Sequence, residues 1–201
     1  MQGITDSLSR TVLVGLALTV LILVASPFTE GGGPGWGVSG GEMLTSLFRW
    51  AHVLSGVMWI GLLWYFNFVQ IPVMPSIPDE MKPAVGKHIA PEALFWFRWG
   101  AMATLITGLV LAMFNYYLLD ALMLKNLLGY GMWFGIIMWF NVWFIIWPNQ
   151  KIALGIIDAP AEAKPAAAAK AKMFSRINTL LSIPMLYAMV SMQAGFRIPL
   201  G

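Results

Sequence analysis

The chain has 201 residues, of which 59% are hydrophobic and 10% charged, and its mean hydropathy is +0.74. Soluble domains carry roughly 25% charged residues, so this composition excludes an ordinary soluble domain. The net charge of +3 marks no nucleic-acid surface, because the basic residues fall in short stretches between long apolar blocks.

The chain contains no cysteine. A disulfide framework, a thiolate-held iron–sulfur cluster and a covalent c-type haem are therefore excluded within these residues. Two histidines, His52 and His88, are the only strong nitrogen ligands.

In chain order, the apolar blocks predict an all-α integral membrane bundle of five transmembrane helices. The first span covers about residues 11–28. Arg10 precedes it, and a signal peptide is a rival reading, but the small-residue cleavage pattern is poor and the block reads as a retained helix. A Gly-rich loop, TEGGGPGWGVSGGE, follows at 29–42. It lacks the strand–helix context and the lysine of a phosphate cradle.

The second span runs over about 44–70. The linker 71–93 has five prolines and several charges, which argue against a continuous helix and for an exposed segment. The third span covers about 94–117, the fourth about 127–147 and the fifth about 177–195, with Pro184 inside the last. The Ala-, Lys- and Pro-rich stretch within 149–176 reads as an exposed linker with a helical end. All 201 residues form one membrane domain on this reading.

Lys and Arg assign the sides. Nine of them (Arg10, Lys82, Lys87, Arg98, Lys151, Lys164, Lys170, Lys172 and Arg176) fall with the N-terminus, against Arg49, Lys125 and Arg197 opposite. The bias puts the N-terminus in the cytoplasm and the C-terminus outside. The expected location is a bacterial inner membrane, crossed several times.

Arg49 and Arg98 each stand between Phe and Trp at the head of a span. One reading is a pair of interfacial anchors that snorkel to lipid phosphate. The other is a cation that holds an acidic group, such as a haem propionate or an anionic substrate.

His52 lies about one turn inside Arg49, and an ionisable group within a span suggests a function. At helical spacing it shares a face with Ser55, Gly56, Trp59 and Gln70. Ser55 and Gly56 are small and admit a flat ligand or another helix. Two readings stand: His52 as axial ligand of a haem b iron, or a neutral histidine bonded to a neighbouring helix. His88 would lie on the far side, roughly 27 Å of helix away, because a helix rises ~1.5 Å per residue. Of the remaining polar residues, Asn141 near the middle of span four is expected to bond to another helix, with a site as the alternative, Arg176 and Asn178 can contact the loop or the end of span four, and Asn67 and Gln70 close span two. Deep in the spans there is no Asp or Glu, so a proton relay or a carboxylate di-metal centre lacks support.

Three stretches, RWAHVLSGVMWIGLLWYFNFVQ, MWFNVWFIIWPNQK and SRINTLLSIPMLYAM, resemble the membrane domain of PuuD-type bacterial urate hydroxylases, the urate oxidase N-terminal family. ALFWFRWGAMATLITG fits as well, so the resemblance extends over roughly residues 45–195. The shared positions are His52, Trp59, Asn67, Asn141, Trp143, Pro148, Gln150, Arg176, Asn178 and Pro184. The resemblance implies urate oxidation with electrons passed to a fused cytochrome c. These residues contain no cysteine to hold a c haem, so the resemblance implies a separate cytochrome c as electron acceptor.

Three functions follow as expectations. The first is an accessory subunit of a larger membrane complex, with other membrane subunits or further copies as partners in the lipid bilayer. The second is a haem-b carrier using His52. The third is a urate-oxidising enzyme served by a separate cytochrome c. Whether the chain is itself an enzyme stays open at this point.

Overall fold

The computed structural model describes residues 7–29 and 40–191. The Gly-rich loop, the end of the fifth span beyond 191 and Arg197 lie outside the described residues. The chain divides into two compact units, at Met1–Leu44 and Thr45–Gly201. The described residues contain helices and no strand, as the apolar blocks predict.

The first unit holds α1 (Leu8–Thr29), an apolar helix without a polar stripe. Four further helices are each long and apolar enough to cross a membrane: α2 (Gly41–Ser76), α3 (Lys82–Phe114), α4 (Leu127–Ala153) and α5 (Ala163–Ser191). A one-turn helix, Leu118–Leu122, joins α3 to α4. The chain is a multi-pass membrane protein.

The helices are longer than the spans expected from sequence. The linker 71–93 is helical except around residues 77–81, where Ile77 takes an extended conformation. Of its prolines, Pro83 sits in the first turn of α3, where it sacrifices an N–H that is unpaired anyway, while Pro72 and Pro91 lie inside the long helices, just past the π-helical turns Tyr65–Gln70 and Val85–Ile89. The expected linker 149–176 is likewise short. Helix α5 starts at Ala163, and Ala167, Ala171 and Ser175 are buried against the bundle. Small side chains at four-residue spacing let this Ala-rich stretch pack as closely as a membrane span.

Helix α4 packs chiefly on α5, and α3 packs on α4. Gly131 makes the α4–α5 approach possible: a Cβ there would lie 3.0 Å from Ala188 Cβ and 3.4 Å from the Met185 carbonyl. Helices α2 and α3 run antiparallel along a stripe of small residues on α3. Gly100 meets the Trp59 backbone, Thr104 reaches Gly56, and Gly108 receives His52. Small residues at this spacing are how apolar helices approach without a hydrophobic driving force. The core is centred on Trp59, Leu63, Phe97, Met138 and Val142, with Asn178 and Ser182 fully enclosed among them.

Three of the long helices widen locally into π-helical turns, at Tyr65–Gln70 in α2, Val85–Ile89 in α3 and Asn141–Ile146 in α4. The turns in α2 and α4 each carry an asparagine that bonds to α5. A π turn leaves backbone groups offset and often marks a specialised position.

Candidate functional site: the His52 cleft

The local sequence fixes His52 in its rotamer. Its Nδ1 donates to the Thr104 carbonyl at 3.0 Å and lies 3.2 Å from Thr107 Oγ1. Gly108 completes the seat, because a Cβ there would come within 2.9 Å of His52 Cε1. Thr104, Thr107 and Gly108 share one face of α3, at i, i+3 and i+4. Since a carbonyl can only accept, Nδ1 carries the proton, and in the neutral ring Nε2 keeps its lone pair. Among the described residues Nε2 has no hydrogen-bond partner.

His52 borders a cleft of about 50 Å³ between α2, α3, α4 and α5. Trp59, Gly108, Met132, Met185 and Met189 are among its other walls. Trp59 is buried, and its Nε1 has no acceptor among the described residues. The cleft is small, with room for a few water-sized bodies.

That volume tests the haem expectation. The ring suits axial ligation, because a carbonyl-bound Nδ1 orients Nε2 as metal ligands usually are. The space does not suit a macrocycle: pockets for ligands of that class measure roughly 300–1,000 Å³. The small-residue notch is also filled, since Thr104 closes on Gly56 and Ser55 bonds within its own helix to the Ala51 and His52 carbonyls. Arg49 is exposed, well placed for an anchor. Haem b on His52 would therefore need space beyond this cleft.

The other intramembrane polar residues separate into groups. Asn141 Nδ2 donates to Asn178 Oδ1 at 2.8 Å, and Asn178 Nδ2 donates to the Met138 carbonyl at 2.9 Å. Asn67 Nδ2 donates to Ser175 Oγ at 2.7 Å and to the Leu63 carbonyl. Trp64 Nε1 donates to Ser182 Oγ, which bonds the Thr179 carbonyl one turn before Pro184. Gln70 Oε1 is buried without a donor, and Arg176 is exposed. His88 is exposed, as expected of a solvated histidine.

Arg98 differs from Arg49. Its guanidinium carbon lies 3.3 Å from the Trp147 ring centroid, a cation–π contact. Its Nε and Nη1 are buried and have no acceptor among the described residues. The neighbouring Trp99 meets Trp143 edge to face at 5.5 Å.

Sequence reasoning named His52, Gly56 and Trp59 but missed Thr104, Thr107, Gly108 and the three methionines. The signal for the first three was present in TLITG, where two threonines and a glycine fall on one face. The methionines gave none, since Met in apolar helices is mostly packing. No group of three or more His, Cys, Asp or Glu able to hold a metal occurs among the described residues.

Residues 125–198 match the family model described as urate oxidase N-terminal. This stretch includes the whole of α4 and α5 and the Asn141–Asn178 pair, and it supports the resemblance read from the sequence. No curated protein matches the chain, and no solved structure matches it.

Proposed function

We propose that this chain is a membrane subunit of a larger, redox-associated complex related to the urate hydroxylase system. It would work in a bacterial inner membrane with its N-terminus in the cytoplasm. The match over residues 125–198 supports this reading. Those residues use their polar groups to hold helices together, which is scaffold chemistry. Gentle extraction from native membranes is expected to yield the chain with stoichiometric partner proteins. A monodisperse particle of this single chain from the same membranes would overturn the subunit reading.

The second reading is a urate-oxidising enzyme that passes electrons to a separate cytochrome c. Arg98 favours it: a half-buried arginine whose Nε and Nη1 are enclosed and unpaired suits a planar anion, and the Trp147 face beside it holds the arginine in place. Membranes containing the protein, supplied with an electron acceptor, would consume urate and lose that activity with Arg98→Gln. Membranes that consume no urate under those conditions remove this reading and leave the first standing.

A further inference from the structure

We propose that the His52 cleft is a binding site for a single cuprous ion, held by His52 Nε2 and the thioethers of Met132, Met185 and Met189. This assignment stands apart from the subunit and urate readings. Four observations carry it. His52 offers one lone pair, because its other nitrogen is committed to the Thr104 carbonyl. Three methionines from two helices border the same small cleft. Met189 reaches across to α4, where its terminal methyl carbon lies 3.4 Å from the point a Cβ on Gly131 would occupy, next in sequence to Met132. The volume of about 50 Å³ is enough for an ion.

The chemistry of the donors selects the ion. Thioether sulfur is soft and uncharged, and so suits Cu(I) over divalent ions that prefer carboxylate or several imidazoles. The donor set is neutral, so the bound site carries one positive charge, which an apolar interior tolerates better than two. Trp59 lines the same cleft, and an indole ring adds attraction for a cation. The chain contains no cysteine, so any sulfur bound to copper in this protein is methionine sulfur. The flexible methionine side chains can close on the ion without moving the helices.

The test uses the full chain purified in detergent without oxygen. It is titrated with Cu(I) against a competing chromophoric chelator, and the bound copper is examined by X-ray absorption. The expected result is one Cu(I) per chain with both sulfur and nitrogen neighbours. His52→Ala, and separately the double substitution Met185→Leu and Met189→Leu, are each expected to weaken retention at least about tenfold, the scale on which lost metal-site contacts act. His88→Ala is expected to leave it unchanged. Leucine conserves the methionine volume, so the double variant keeps its fold. Helical circular dichroism and elution volume check that it has. No retained copper, retention unaffected by the methionine substitutions, or Zn(II) bound as tightly as Cu(I) would each overturn the assignment. A haem spectrum from the purified chain, with no copper uptake, would overturn it as well.

Discussion

At the α4–α5 contact, Asn178 is fully enclosed, and its amide is used at both ends, toward Asn141 and toward the Met138 carbonyl. At the α2–α3 contact, His52 is half-buried, bonds through one nitrogen, and leaves the other beside a small void. Both groups are polar residues inside a membrane bundle. A satisfied amide between two helices specifies their register and can do little else. A ring held by one nitrogen against a rigid carbonyl keeps its second nitrogen for an exchangeable partner. The difference shows where to expect stability effects and where to expect ligand effects when each is changed.

The largest stability loss is expected from Asn178→Leu. It removes two interhelical hydrogen bonds and strands the Asn141 amide, at a cost of about 1–3 kcal/mol. Reversible unfolding in mixed micelles would measure it. A loss as small as that of a surface substitution would mean the amide pair is not what holds α4 to α5.

Gly108→Ala follows. The added methyl would meet the His52 ring at 2.9 Å, so the ring must shift, at a cost of about 1–3 kcal/mol. Combining it with His52→Ala would recover most of that loss, because the clash partner is gone. Additive losses in this double-mutant cycle would show that Gly108 is constrained by something other than His52.

His52→Ala alone is expected to cost only about 0.5–1.5 kcal/mol, the net worth of a hydrogen bond. The Thr104 carbonyl remains approached by Thr107 Oγ1 at 3.2 Å. Should His52→Ala destabilise more than Asn178→Leu, the contrast between the two sites would collapse.

The smallest effect belongs to the exposed Asp79–Lys82 pair in the break between α2 and α3. The hydrogen bond from Lys82 and its charge hold the Asp79 carboxyl below its usual value. A carboxyl depressed in the folded state stabilises above its unfolded value, near pH 4, and that contribution fades as pH falls through the folded value. Asp79→Asn is therefore expected to leave stability at neutral pH within measurement error. A clear change would mark this break as a point of contact with another molecule.

The sequence by itself determined the membrane class, the five apolar blocks and the polar residues within them. Length and hydropathy suffice for that, because a bilayer admits few backbone structures. It also determined the zero-cysteine limit on cofactors and the resemblance that residues 125–198 support. Helix ends were less legible. Proline content argued for linkers at 71–93 and 149–176, but the helices run on through Pro72 and Pro91 and the alanines pack against the bundle. Tertiary structure alone decided the partners. It separated Arg98 over Trp147 from the exposed Arg49, although both stand in the same Phe-Arg-Trp triplet. It also filled the notch beside His52 with Thr104 and brought three methionines to the cleft. Periodicity reports the face a side chain occupies. It does not report which helix covers that face, and in lipid that choice rests on the close fit of small residues such as Gly100, Gly108 and Gly131.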